Sequence, residues 1–302
     1  MTTAMTQRKA DFWWRLLRPH SLTATFIPFM LGVALVWTRT GTLGSRPWLL
    51  AAMLAASLLI QIATNLFNEY YDYARGLDTA ASVGIGGTIV RDGASPRFVL
   101  TLALLCYAVA GTLGIGICAA TSWLLIPVGG VFMLIGYLYT GGPLPIAATP
   151  FGEPIAGLSM GTGIAAITSF VLSGKVPWSV IVVSLPVAAH IAQILTANNI
   201  RDRVADQAHG RHTLVILLGH KHAVWYLAGV FVATHIFVIG LVLSGIIGGW
   251  SLLCLAALLP AWNATRAFRR DGQTPAEMMP AMRAVAQTNS IFGLLYILGI
   301  LL

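Results

Sequence analysis

The chain alternates between long apolar segments and short polar loops. A helix needs about 20 mostly apolar residues to cross a bilayer, and nine segments approach or exceed this length, at residues 21–38, 47–71, 97–119, 122–140, 153–173, 178–201, 222–245, 249–268 and 280–301. These segments lack the residue-by-residue alternation of membrane β-strands. The pattern predicts an all-α integral membrane protein with nine transmembrane helices. We expect one domain over residues 1–302, in which residues 1–20 form a basic and aromatic cytoplasmic segment at the membrane interface.

Composition supports this prediction and excludes two other classes of protein. The 302 residues are 57% hydrophobic and only 9% charged, with a mean hydropathy of +0.80, whereas soluble domains carry about 25% charged residues. The net charge of +8 does not indicate nucleic-acid binding, because the basic residues lie in short loops between apolar segments. The cysteines lie inside apolar segments, and this placement predicts small core or lipid-facing side chains rather than a disulfide framework.

The positions of the basic residues predict the orientation. In the nine-helix arrangement, fifteen of the 18 Lys and Arg residues lie on the side that holds the N-terminus. Cytoplasmic loops carry such an excess of positive charge in membrane proteins. We therefore expect a multi-pass protein of the cell membrane whose N-terminus and polar motif loops are cytoplasmic.

Two polar motifs stand at the ends of the second and sixth predicted helices. The first motif comprises Asn65, Asn68, Asp72 and Gly76. The second comprises Asn199, Asp202, Asp206 and Gly210, and each of its positions follows the corresponding position of the first by 134 residues. An ionisable group in a membrane segment costs about 2.5–3.5 kcal/mol and is by default a candidate functional group. The alternative is that these residues only mark where each helix leaves the membrane.

The chemistry of the two motifs favours a divalent cation and a phosphorylated ligand. Carboxylate and amide oxygens, with Glu69 nearby, are hard ligands that suit Mg²⁺, which often bridges carboxylates to substrate phosphates. Four arginines flank the motifs and could bind the remaining phosphate oxygens: Arg75, Arg91, Arg201 and Arg211. The alternative for each arginine is that it only follows the topology rule.

Four stretches resemble a known family. They are Arg18 to Ser21; Asn65 to Asp78, followed by Val83 to Gly87; Tyr139 to Pro143 with Gly152 and Glu153; and Asn198 to Asp202 with Asp206, Gly210, Thr213 and Leu214. Together they resemble the UbiA superfamily of intramembrane prenyltransferases. Within that superfamily the chain is most similar to the branch that prenylates 1,4-dihydroxy-2-naphthoate.

The resemblance implies a UbiA-type bundle of nine helices around a central cavity. It also implies two Mg²⁺ ions that join a polyprenyl diphosphate to the motifs, one at Asn68 and Asp72 and the other at Asp202 and Asp206. The remaining candidate substrate-binding residues are Arg18, Asn65, Glu69, Arg75, Asp78, Arg91, Tyr139, Asn199, Arg201 and Arg211. Arg18 is a candidate for the acceptor carboxylate or for a phosphate.

The implied reaction is transfer of the polyprenyl group to 1,4-dihydroxy-2-naphthoate, with loss of CO₂, to give demethylmenaquinone. The implied partners are a polyprenyl diphosphate, this aromatic acceptor and membrane lipid. The alternatives are a UbiA-type enzyme with another acceptor (4-hydroxybenzoate, a lipid or a porphyrin), a non-catalytic binder of prenyl lipids, and a cation-coupled transporter. A transporter would be expected to carry its acidic residues on broken helices near the bilayer midplane.

Overall fold

The computed structural model describes residues 11–44, 46–79 and 87–302, and these ranges are helical with no β-strand. The main helices are α1 Thr23–Thr40, α2 Pro47–Ala74, α3 Pro96–Ala120, α4 Leu125–Leu138, α5 Gly152–Ser173, α6 Trp178–Ala208, α7 Leu214–Leu243, α8 Leu258–Phe268 and α9 Met279–Leu301. Helical turns at 11–17 and Pro19–Leu22 precede α1, a short helix Thr88–Asp92 precedes α3, and 3₁₀ turns occupy Ile146–Ala148 and Gly249–Ala257. The first ten residues of the predicted interfacial segment, and Val83 to Gly86, lie outside the described residues.

Seven helices within these ranges are long and apolar enough to cross a membrane: α1 with the turns before it, α2, α3, α5, α6, α7 and α9. Helix α4 is apolar but has only 14 residues. The predicted segment 249–268 begins as a 3₁₀ helix and continues as α8. A multi-pass helical membrane protein is thus supported, while the count of nine crossings stays a prediction.

Three predicted helix boundaries are wrong. Helices α2 and α6 continue beyond the predicted ends at 71 and 201, to Ala74 and Ala208. The polar motifs therefore lie within the last turns of these helices, beyond the point at which hydropathy falls. Helix α7 begins at Leu214 rather than at 222, with a break in helical geometry at Gly219, whose φ is 72°.

The chain forms two compact units. The first combines residues up to Thr23 with Ala52–Ala148, and the second combines Ala24–Ala51 with Thr149–Leu302. Phe67, Leu66 and Val99 are central to the core of the first unit. The second unit has two clusters, one around Phe292 and one around Phe268. All three cysteines are free, as predicted, and buried.

A buried carboxylate fixes the segments that surround the end of α2 in the first unit. The Oε2 atom of Glu69 accepts hydrogen bonds from the Arg18 guanidinium at 3.1 Å and the Gly87 N–H at 2.9 Å. Its Oε1 atom accepts from the Thr88 hydroxyl at 2.8 Å and the Ile89 N–H at 3.1 Å. Glu69 is fully buried, so these donors compensate for the water that its charge has lost.

Arg18 reaches this carboxylate from an unusual backbone conformation. Its φ of 49° places it in the left-handed region, which residues with a Cβ seldom adopt and which often marks a functional constraint. The Asn65 amide supports the same segment, since it donates to the Leu17 carbonyl at 3.2 Å and to the Ser21 hydroxyl at 2.9 Å. The segment before α1 is thus attached to α2 by the side chains of Asn65 and Glu69.

Close packing of α5 on α6 positions the second motif. A Cβ on Gly157 would lie 2.5 Å from the Ala188 carbonyl oxygen and 3.0 Å from the Ala192 Cβ, and a Cβ on Gly161 would collide with the Ala188 backbone. The two helices therefore run antiparallel in close contact, as small residues allow. A π-helical turn, Leu158–Gly163, lies in this part of α5.

Gly161→Ala is expected to destabilise the protein by about 1–3 kcal/mol, because the methyl group has no space against α6. The measurement is the unfolding midpoint in detergent. Gly116→Ala in α3 is the matched control, since a Cβ there meets nothing within 4 Å. Equal midpoints for the two variants would contradict the packing described.

Glu69→Gln is expected to cost about 3–5 kcal/mol, because it removes the buried charge that pairs with partly buried Arg18. The same substitution at an exposed pair, Asp92→Asn, removes the partner of Arg15 (2.8 Å) and should cost about 1 kcal/mol or less. Unfolding midpoints and the rate of proteolysis before α3 are the measurements. A Glu69→Gln protein as stable as the Asp92→Asn protein would show that the carboxylate is not the anchor.

Candidate functional site

The two polar motifs end their helices in the same way. At the end of α2, the Leu77 N–H donates to the Asp72 carbonyl at 2.9 Å and the Gly76 N–H donates to the Tyr73 carbonyl at 3.0 Å. Gly76 has a φ of 70°, which glycine adopts without strain. These bonds form a Schellman motif, in which a left-handed residue closes the last turn of a helix.

Helix α6 ends with the same bonds. The Arg211 N–H donates to the Asp206 carbonyl at 3.0 Å, and the Gly210 N–H donates to the Gln207 carbonyl at 3.1 Å. Gly210 has a φ of 74°. The repeated spacing therefore places Asp72 and Asp206 at equivalent positions, in the last turn of their helices.

Acidic groups concentrate around Asp72 in the first unit. The Asp78 N–H donates to the Asp72 carbonyl at 3.3 Å, so the chain turns back towards the helix end. Burial, together with the carboxylates of Asp72 and Glu69, raises the pKa of Asp78 to about 6. Asn68 precedes Asp72 by one turn of α2 and is partly buried. A cation would relieve the repulsion between these carboxylates.

Arg75 binds the chain itself in this structure. Its guanidinium donates to the carbonyl of Thr140 and, at 2.8 Å, to that of Gly142. It also lies 5.1 Å from the ring centroid of Tyr71, whose hydroxyl is 2.8 Å from that of Tyr137. Arg75 thus attaches the loop after α4 to the end of α2, and its predicted contact with substrate stays a prediction.

Each aspartate of the second motif is paired with an arginine. Arg201 makes a bidentate contact with Asp202, at 2.8 Å and 2.6 Å. Arg211 donates to Asp206 at 3.1 Å. Arg201 is more buried than the carboxylate that it binds, since their side chains are 8% and 37% exposed. Neighbouring opposite charges thus already compensate the acidic end of α6.

Asn199 has a partner that the sequence did not single out as a site residue. Its amide nitrogen donates to Glu153 Oε1 at 2.8 Å, and Glu153 is fully buried in the first turn of α5. The available signal was an ionisable residue at the start of an apolar segment. In the sequence, Glu153 stands out only as part of a stretch that resembles the UbiA superfamily.

The remaining predicted site residues have less specific surroundings. The Arg91 side chain lies along Gly87, beside the donors that bind Glu69. The N–H of Tyr139 donates within α4 to Ile135, and its carbonyl accepts from Ala147. Both residues lie in the first unit, near the end of α2 or the loop after α4.

The donor set fits a hard divalent cation at each motif. Asn68 and Asp72 supply amide and carboxylate oxygens one turn apart, and Asp202 and Asp206 supply two carboxylates one turn apart. Oxygen ligands of this kind suit Mg²⁺. Within the ranges that the structure describes, no group of three or more His, Cys, Asp or Glu side chains could hold a metal by itself. A cation at either motif would therefore need further oxygens from a ligand or water.

Comparison with known proteins agrees with these features. The UbiA prenyltransferase family matches residues 25–294. The 1,4-dihydroxy-2-naphthoate octaprenyltransferase of Bacillus subtilis is 47% identical over 291 residues, which cover 96% of this chain and 92% of that protein. The Mycobacterium leprae protein of the same name is 29% identical over 276 residues, 88% of each chain.

Structural comparison gives the same fold. A UbiA homologue from Archaeoglobus fulgidus, solved with DMAPP and Mg²⁺ bound, superposes with a TM-score of 0.63 at 16% identity, over 94% of this chain and 98% of that one. At this identity the likeness concerns the fold alone. The resemblance inferred from the motifs is confirmed, and the chain belongs to the UbiA prenyltransferase family.

Proposed function

We propose that this protein transfers a polyprenyl group from a polyprenyl diphosphate to 1,4-dihydroxy-2-naphthoate, with loss of CO₂, and so makes demethylmenaquinol, the reduced form of demethylmenaquinone. The identity of 47% over almost the whole chain to the Bacillus subtilis enzyme supports this acceptor. The observation that carries the proposal is the pair of equivalent helix ends, each with Asp in its last turn before a left-handed glycine.

The two motifs would hold Mg²⁺, one ion at Asn68 and Asp72 and a second at Asp202 and Asp206. The A. fulgidus homologue, solved with DMAPP and Mg²⁺, supports the use of a divalent ion in this fold. Bound Mg²⁺ would neutralise the diphosphate and make it a better leaving group. Asn65 and Glu69 have a positioning role in this proposal. The Asn65 amide binds the segment before α1, and the Glu69 carboxylate binds the segment before α3.

The arginines on α6 and after it have a second role in this proposal. In the absence of ligand, Arg201 and Arg211 bind Asp202 and Asp206. When these carboxylates bind a cation, the guanidinium groups are available for diphosphate oxygens, which they recognise by bidentate, charge-assisted hydrogen bonds. Arg91 could add a third such group. Arg18 and Arg75 are engaged by Glu69 and by backbone carbonyls, which favours a positioning role.

The reaction balances without an external base. The allylic C–O bond breaks, and its electron pair leaves with the diphosphate. The ring carbon that carries the carboxylate then bonds to the allylic cation, and loss of CO₂ returns the electron pair of the broken C–C bond to the ring. The protein's contribution is to stabilise the charge that develops on the diphosphate and to hold the ring against the cation.

We further propose that the chain crosses the cell membrane nine times as a single domain, with α4 and the segment 249–268 as the two shorter crossings. Its N-terminus and both motifs would face the cytoplasm. The excess of Lys and Arg on that side supports this orientation. Prenyl tails and lipid would contact the apolar helix faces.

Purified protein given Mg²⁺, polyprenyl diphosphate and 1,4-dihydroxy-2-naphthoate is expected to form the prenylated, decarboxylated product. Asp72→Asn and Asp202→Asn should each lower the rate by about 100-fold or more, because each removes a charge that acts on the leaving group. EDTA should abolish turnover, and added Mg²⁺ should restore it. Mass spectrometry of the product is the measurement.

Asp271→Asn is the control, since Asp271 is an exposed carboxylate between α8 and α9. It should retain full activity. Parallel assays with 4-hydroxybenzoate test the acceptor. Turnover that survives EDTA, or either motif variant with normal activity, would refute the mechanism, and preference for 4-hydroxybenzoate would refute the acceptor.

A further inference from the structure

Glu153 lacks one hydrogen bond that its surroundings require. The side chain is fully buried, and its Oε1 atom accepts from the Asn199 amide at 2.8 Å. Its Oε2 atom is also buried, yet it has no hydrogen-bond partner within the described ranges of the chain. A buried polar oxygen without a partner is unfavourable whether the carboxyl is ionised or protonated.

Ordinary structural roles do not account for this carboxylate. Glu153 is in the first turn of α5, where an acidic residue can cap the helix, but no side-chain hydrogen bond caps this end. Glu69 is equally buried, and four donors from the chain satisfy it. The contrast between these two glutamates indicates that Glu153 Oε2 is left for a donor that the chain does not supply.

The position of Glu153 is held rigidly. The contacts of Gly157 and Gly161 with Ala188 and Ala192 fix α5 against α6, and Glu153 lies one turn before Gly157. The π-helical turn Leu158–Gly163 adjoins this contact, and such turns occur frequently at functional sites. The carboxylate therefore has little freedom to find another partner.

Glu153 is also close to the motif that we assign to the diphosphate. Its partner Asn199 precedes Asp202 by three residues, about 4.5 Å along a helix axis. Asn199 lies on the apolar side of Asp202 and Asp206, towards the middle of α6. An aromatic ring that attacks the first carbon of a prenyl chain must lie beside the diphosphate on that side.

We propose that Glu153 Oε2 accepts a hydrogen bond from a ring hydroxyl of the aromatic acceptor. This inference rests on the proposed function and identifies a residue for acceptor recognition. Attack on the allylic cation places positive charge on the ring, which makes the hydroxyl a stronger donor. The hydrogen bond to Glu153 therefore strengthens as the new C–C bond forms, and it contributes to rate as well as to orientation. No proton has to leave the hydroxyl.

The test is a cycle that combines Glu153→Gln with removal of each hydroxyl from the acceptor. The acceptors are 1,4-dihydroxy-2-naphthoate, 1-hydroxy-2-naphthoate and 4-hydroxy-2-naphthoate. Gln can still accept the hydrogen bond from Asn199, so the local fold is retained. For the wild type, removal of the recognised hydroxyl should lower kcat/KM by about 10–100-fold through the lost bond to a charged group. Loss of ring reactivity adds to this, but it is the same in both proteins and cancels.

In Glu153→Gln, kcat/KM for the dihydroxy acceptor should fall about 10–100-fold, and the extra penalty for removing that hydroxyl should disappear. The KM for the polyprenyl diphosphate should not change. Inhibition constants of the two monohydroxy analogues against the dihydroxy acceptor provide a readout independent of turnover. They should differ in the wild type and converge in the variant.

The proposal would be overturned if removal of either hydroxyl lowered kcat/KM by the same factor in the wild type and in Glu153→Gln. Glu153 would then be a structural residue. Glu277→Gln, an exposed carboxylate, is the matched control and should behave as the wild type. If Glu153→Gln does not accumulate in folded form, Glu153→Asp, which withdraws the carboxylate by one methylene group, is used in the same cycle. A wild type that does not prenylate the acceptor would instead refute the proposed function.

Discussion

Polar groups removed from water must find partners within the chain, and this constraint governs the structure from its helices to its candidate site. In a bilayer it restricts spanning segments to helices, whose backbone groups are satisfied internally. At the ends of α2 and α6 the last carbonyls are instead satisfied by left-handed glycines. At Glu69 a buried charge is satisfied by a guanidinium, a hydroxyl and two backbone N–H groups. Glu153 Oε2 departs from this rule, as do some other buried side-chain atoms of the described residues, among them both ring nitrogens of His190.

The repeat has a physical meaning that spacing alone did not reveal. Asp and Gly four residues apart place a carboxylate in the last turn of a helix and close that turn with a Schellman motif. The glycine stands at this position because the helix end needs a left-handed residue there. The aspartate stands four residues earlier, in the turn that this glycine closes. Asn68 and Asp202 occupy the turn before. Two segments far apart in the sequence thereby present the same arrangement of hard oxygens, each within its own unit.

Much of the fold could be predicted because it depends on local patterns. Apolar length located the helices, and the Asp and Gly spacing located the motifs. The details that the sequence could not supply depend on tertiary partners distant in the sequence. Glu69 pairs with Arg18, 51 residues away, and Arg75 binds the carbonyl of Gly142, 67 residues away. Sequence reasoning could identify these side chains as unusual but could not distinguish an anchor from a ligand. The ends of α2 and α6 were predicted too early for a local reason. Hydropathy falls several residues before each helix stops, at Ala74 and Ala208.

The ion pairs at the end of α6 have a consequence for the protein in the absence of substrate. Because Arg201 and Arg211 already balance Asp202 and Asp206, this acidic helix end can fold and insert without any metal. A cation arriving alone would have to displace two guanidinium groups from these carboxylates and would bring no replacement anions. A cation arriving with a diphosphate supplies those anions at the same moment. Under the proposed function, the arrangement therefore favours joint binding of metal and diphosphate, and it disfavours binding of a divalent ion alone.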